Sequence, residues 1–243
     1  IREQIDYARI LYTKGFYRQA LKILDKAKSL AEKFNANYQV LDILDLEKRI
    51  ELQFITRSIE SRAEHLSKAS DEIKNKVNSS IAYSNLSLKL YSLYLKVGFV
   101  KNEKDFLYTK HFFESNLPKI KEQNDFYEQL YKNNAYVWYY YIIQDFLMCY
   151  KYATRWLHLF EQHPEMIHVE QDMYMKGVHN LLNALFNLRH HEKYNEVLEA
   201  LEKSEIDSND NNLMIFHLYL FTAKINKHFL EGSFTDGIEL VPE

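Results

Sequence analysis

A chain of 243 residues with 47% hydrophobic and 27% charged residues carries enough apolar material for one large domain or two small ones. Its five glycines and three prolines fall well below the average usage of about 7% and 5%, which leaves few turn residues for sheets, sandwiches or barrels and favours long helices with short connections. Thirty-one Lys and Arg against 34 Asp and Glu give a formal charge of -3, so no basic field exists to draw in nucleic acid or an anionic membrane surface.

Along the chain, Ile5, Ala8, Leu11 and Tyr12 repeat at helical spacing. After Lys14-Gly15-Phe16-Tyr17 the same spacing returns at Ala20, Leu21, Leu24, Ala27, Lys28 and Ala31, which makes a helix, a tight turn and a second helix. Asn35-Ala36-Asn37 opens a stretch from Val40 to Leu66 that holds neither Gly nor Pro. It is expected to be either two helices meeting near Thr56 or one unusually long helix. Asn78-Ser79-Ser80 offers capping side chains before a helix expected over residues 80–97 and ended by Gly98. Its partner is expected from Glu103 to Asn116, stopped by Pro118. Asn124-Asp125 opens the next helix, which runs through Tyr131, Trp138 and Tyr141 to a turn near Gln144-Asp145, and Pro164 closes the one after Phe160. Helices near 168–188 and 193–204, a loop at Asp207-Ser208-Asn209-Asp210, a helix over 211–230 and a last turn at Gly232-Ser233-Phe234 complete the reading. About ten helices are expected as hairpins over residues 1–34, 37–74, 80–116, 124–163, 168–204 and an incomplete 211–243. The chain starts at Ile1 without a methionine and stops in what reads as a helix opening at Leu240-Val241-Pro242-Glu243, so a piece of a longer protein is expected.

The turns themselves repeat. At Tyr17, Phe106, Phe146, Tyr194 and Phe234 an aromatic opens a second helix, followed three residues later by Ala20, Thr109, Cys149, Val197 or Gly237. The intervals are 89, 40, 48 and 40 residues, and 89 is close to two periods. A small residue lets the second helix cross the first closely, and each unit buries its apolar face only by stacking on the next. The first unit, with Ala8, then Gly15-Phe16-Tyr17-Arg18-Gln19-Ala20, then Leu24 and Ala27, resembles the tetratricopeptide repeat, and Gly232-Ser233-Phe234 with Gly237 repeats the signature. The middle units lack the family's tryptophan, and the period exceeds the family's 34 residues.

The resemblance implies an all-α, right-handed superhelix (solenoid) of antiparallel helix hairpins, a single domain over 1–243 whose first helices line a concave groove for a peptide or partner helix. Carried over from the turns, the groove candidates are Arg9 and Tyr12, then Tyr131, Asn134, Trp138 and Tyr141, then His179, Asn183, Phe186 and Arg189, then Tyr219, Thr222, Asn226 and Phe229. An asparagine amide both donates and accepts, so it can pair with one peptide unit, while aromatic rings supply rigid contact area. The lysine and asparagine clamp by which tetratricopeptide chaperone adaptors hold a chain end is not evident, since Ile5 and Arg9 stand where its first residues would be expected. With 19 Tyr and 15 Phe in the chain, most of these aromatics are expected in inter-helix packing, the alternative being that Trp138 and Tyr141 touch a ligand.

Catalytic patterns are sparse. Glu165-x-x-His168 has half the spacing of a di-iron carboxylate site, but no second such pair follows it. His190-His191-Glu192 reads as a surface loop, and Asp207-x-Asn209-x-Asn211 lacks the glycine and closing glutamate of a calcium loop. Cys149 occupies a packing position and is expected to be a buried, inert thiol. A lone cysteine and the absence of any long apolar run fit a reducing cytoplasm. The expectation is a non-catalytic scaffold that binds a protein or peptide, from a partner or from another segment of the same full-length protein, as the sensing or regulatory part of a larger protein, without cofactor, metal, nucleic acid or membrane. The alternatives are self-assembly into a homo-oligomer and a helical metalloenzyme with its site near His163, Glu165 and His168.

Overall fold

The computed structural model describes residues 1–53, 59–204 and 209–240, and every regular element among them is a helix. The chain divides into two compact units, one of Ile1–Ala82 with Lys119–Glu128, the other of Tyr83–Pro118 with Gln129–Glu243. The expected junction near Thr56, residues Asp207 and Ser208, and Val241-Pro242-Glu243 lie outside the described residues.

In the first unit, α1 (Arg2–Thr13) and α3 (Asn37–Gln53) pack on α2 (Tyr17–Lys33). Helix α2 presents Ala20, Leu24, Ala27 and Ala31, spaced four, three and four residues apart and fully buried, so the alanines let neighbouring helices approach closely. They meet Ile5 and Ala8 of α1 and Val40, Ile43, Leu44 and Ile50 of α3 in one core. Glu47 is fully buried on α3, and the Lys28 ammonium at 2.9 Å and the Arg62 guanidinium at 3.8 Å compensate its charge. The segment 119–128 is tied in the same way. Asp125 accepts from the Asn37 amide at 3.1 Å and pairs with Lys76 at 3.8 Å, and Glu128 accepts from the Gln123 backbone N–H at 2.7 Å.

Helix α4 corrects the expected start of a helix at residue 80, because it runs unbroken over 39 residues from Ile59 to Val97. Ser79 and Ser80 do not cap. Their hydroxyls lie 3.0 and 2.9 Å from the Lys76 carbonyl oxygen of the preceding turn, so the side chains are satisfied within a continuing helix. One helix therefore supplies both the end of the 37–74 pair and the first helix of the 80–116 pair.

In the second unit, Tyr83, Leu86, Leu90 and Leu93 of α4 form a core with Phe113 of α5 (Glu103–Asn116) and with Ala135, Tyr139 and Ile142 of α6 (Phe126–Ile142). The Phe113 and Tyr139 rings stack with centroids 4.0 Å apart. Next come α7 (Phe146–Gln162), the single turn α8 (Met166–Val169), α9 (Gln171–Asn187), α10 (His191–Glu202), α11 (Asp210–Glu231) and α12 (Phe234–Glu239). Helix α9 packs on α7, α10 and α11. It approaches α7 through Gly177, where a Cβ would come 3.0 Å from Leu157 Cδ2 and 3.2 Å from the buried Trp156 ring.

One turn geometry recurs between paired helices. Gly15, Gln144, Arg189 and Gly232 all take left-handed φ values, +78°, +60°, +53° and +74°. In each case the next residue donates its N–H to the carbonyl five residues back: Phe16 to Leu11, Asp145 to Tyr140, His190 to Leu185 and Ser233 to His228, at 2.9 to 3.0 Å. This is the helix-ending motif that satisfies orphan carbonyls through a left-handed residue. The second helices then begin at Tyr17, Glu103, Phe146, His191 and Phe234, at intervals of 86, 43, 45 and 43 residues.

That spacing corrects the expected register at two turns. Phe106 and Tyr194 do not open their helices but stand at the fourth position, where α2 has Ala20 and α7 has Cys149. In α10 this place is filled by the buried Tyr194 itself, whose hydroxyl donates to the Ala223 carbonyl at 2.8 Å, so the small residue is supplied by α11. Arg189 holds a conformation that costs a non-glycine residue about 1 kcal/mol. Arg189→Gly is expected to raise stability in urea unfolding by about 1 kcal/mol and the β-branched Arg189→Val to lower it by at least as much. The reverse order would show that the turn does not govern this helix pair.

Candidate functional site

A cavity of about 560 Å³ opens within the second unit. Its walls come from α4, α6, α9 and α11, and no residue of α5, α7, α10 or α12 lines it. Each of three helices contributes a stripe with the same spacing of three, four and three residues, which keeps four side chains on one helical face. The stripes are Ser84, Ser87, Tyr91 and Tyr94 on α4, Tyr131, Asn134, Trp138 and Tyr141 on α6, and Met173, Lys176, Asn180 and Asn183 on α9, with His179 beside the last and Tyr219 from α11. The Ser87 hydroxyl donates to the Tyr131 carbonyl at 3.1 Å and ties α4 to α6. Met173, Lys176 and Asn180 flank the close crossing at Gly177, so α9 offers this stripe from a helix held hard against α7.

One wall is aromatic. Trp138 lies with ring centroids 5.1 Å from Tyr91, 5.6 Å from Tyr94 and 6.1 Å from Tyr141. Burial raises the Tyr141 phenol above its ordinary pKa, with the Tyr94 phenol adding to the shift. The opposite lining is polar. The His179 and Tyr219 rings stack at 4.2 Å and 14°, and the Asn183 amide donates to His179 Nε2 at 2.9 Å, which places the neutral imidazole's proton on Nδ1. Burial, with Lys176 nearby, lowers the His179 pKa to about 4. Burial also pulls the Lys176 ammonium below its usual range, with Asp172 one turn earlier opposing it. Asn134 is 5% exposed, and its buried Oδ1 has no hydrogen-bond partner among the described residues.

Seven residues singled out from the sequence line this cavity together: Tyr131, Asn134, Trp138, Tyr141, His179, Asn183 and Tyr219. The others lie elsewhere. Arg9 pairs with Asp42 and Tyr12 packs on Tyr17, both in the first unit. Phe186 is half-buried off the cavity, and Arg189 is exposed on the turn after α9. The Asn226 amide reaches the Tyr194 hydroxyl, the Thr222 hydroxyl bonds back to Leu218, and Phe229 packs on Phe234. The α4 stripe and Met173, Lys176 and Asn180 are additional members, and the shared three, four, three spacing is the sequence signal that marks them.

The remaining chemical candidates stand apart from the cavity opening. Cys149 is buried against the Val137 carbonyl, and burial, with Asp145 adding, pushes its thiol up to about 12. His163 and Glu165 pair at 3.6 Å on the surface, and His190 caps α10 by accepting from the Lys193 N–H. Asn209, at the rejected calcium loop, caps α11. Among the described residues no group of three or more His, Cys, Asp or Glu is placed to hold a metal ion, and no helix is long and apolar enough to cross a membrane. Comparison with family models, with curated proteins and with solved structures finds no match to this chain.

The low pKa of His179 has a definite sign. Between about pH 6.5 and 4 the unfolded chain takes up a proton on this imidazole that the folded chain refuses. The stability it contributes is complete above pH 6.5 and is lost as the pH falls, by roughly 3 kcal/mol at pH 4. In urea unfolding, the stability of the wild type relative to His179→Phe is expected to fall between pH 7 and 4.5. Parallel curves would contradict a buried neutral imidazole.

Proposed function

We propose that this protein is a non-catalytic binding scaffold, a tetratricopeptide-like superhelix of helix pairs whose first helices hold an extended peptide segment of a partner or of the same full-length protein. The observation that carries the reading is the composition of the cavity wall. Only first helices of the pairs contribute to it, with the same side-chain spacing on α4, α6 and α9. A wall of rigid rings beside three asparagine amides suits a ligand that alternates apolar side chains with peptide groups. The left-handed turns and a spacing of the second helices near 43 residues support a repeat architecture.

Asn134 separates a binding role from a structural one. A buried amide oxygen without a partner costs stability, and on a residue that lines the cavity it is an acceptor available to a ligand N–H. A pool of random octapeptides with acetylated and amidated ends, equilibrated with the protein and read by mass spectrometry of the retained fraction, is expected to yield a bound set. Asn134→Ala should bind that set at least tenfold more weakly with no fall in Tm, and Trp138→Ala should lose it. Undiminished binding by both variants would move the ligand away from this cavity.

A further inference from the structure

The cavity's charge is as informative as its shape. Of the side chains that line it, Lys176 alone carries a formal charge, since His179 is held neutral. Among the described residues the Lys176 ammonium makes no hydrogen bond or ion pair, and the nearest carboxylate acting on it, Asp172, is exposed one turn earlier on the same helix. A desolvated, unpaired ammonium is costly, and an anion brought into contact with it offsets that cost with a charge-assisted hydrogen bond.

The surroundings distinguish an acidic side chain from a chain end. A terminal carboxylate is commonly captured by several converging donors, often backbone N–H groups in a nest. Apart from Met173 in the first turn of α9, the lining residues lie in helix interiors whose N–H groups are already spent, and the neighbouring His179 Nε2 is taken by Asn183. Amides that can pair with peptide units stand on two helices, Asn134 on α6 and Asn180 and Asn183 on α9. About 560 Å³ is room for several residues of extended chain rather than for a terminus alone.

We propose, building on the peptide-binding reading above, that the bound segment carries an internal Asp or Glu whose carboxylate meets the Lys176 ammonium while the peptide backbone continues past it on both sides. The acidic residue sets specificity, and the aromatic wall supplies contact area for its apolar neighbours.

The test uses two octapeptide pools, one with acetylated and amidated ends and one with free C-terminal acids, selected against the wild type, Lys176→Met and Lys176→Arg. The expected result is enrichment of Asp or Glu at one position in the blocked pool with wild type and Lys176→Arg, and loss of that enrichment with Lys176→Met. The tightest acidic peptide should bind Lys176→Met at least tenfold more weakly. Its Gln or Asn analogue should bind wild type and Lys176→Met alike. Lys176→Met should keep the wild-type circular dichroism and Tm within a few degrees. A blocked-end set without acidic enrichment that still depends on Trp138 would overturn the acidic ligand and leave the peptide groove standing. Enrichment confined to the free-acid pool would overturn it in favour of a chain end, and no bound peptide in either pool would overturn both readings together.

Discussion

Residues that turn the chain through a left-handed conformation set the phase of the helix pairs. At Gly15, Gln144, Arg189 and Gly232 a single residue with positive φ ends one helix and aims the next, and the bond that closes the turn always spans five residues. At three of these turns the fourth residue of the second helix is small, Ala20, Cys149 and Gly237, and after the Arg189 turn it is the buried Tyr194, which reaches across to Ala223 of α11. In the second unit the first helices α6, α9 and α11 of these pairs, together with α4, supply the cavity wall.

The wall holds polar groups that a ligand could satisfy. Lys176 is partly desolvated without a partner, His179 is stacked and neutral, and Asn134 buries an unpaired amide oxygen. The desolvated ammonium and the unpaired oxygen each cost free energy, whereas Glu47 in the first unit is compensated by Lys28 and Arg62. A ligand that supplies an N–H and a carboxylate would satisfy both groups of the cavity wall.

Much of this was legible in the sequence. The pair α1 and α2, the turn at Gln144-Asp145, the packing position of Cys149 and the scarcity of strands all follow from spacing and from the shortage of Gly and Pro. The continuity of α4 was not, because serine and asparagine favour helix starts only where the backbone N–H groups need them. Inside a helix the same hydroxyls of Ser79 and Ser80 fold back on Lys76. An aromatic three residues into α5 and α10 imitates the aromatic that opens α2, so Phe106 and Tyr194 shifted the register by one turn. Lys176 was not legible for a different reason: a lysine on a helix reads as solvated, and its desolvation depends on which face of α9 lines the cavity.

The most direct measurement is a crystal structure of the protein with the tightest blocked-end octapeptide. The account predicts an extended peptide between α4, α6 and α9, passing Trp138, with a backbone N–H on Asn134 and an internal carboxylate about 2.8 Å from Lys176 Nζ. A peptide seated instead on the exposed face of α11 around Met214, Leu218 and Phe221, with the cavity unoccupied, would contradict it.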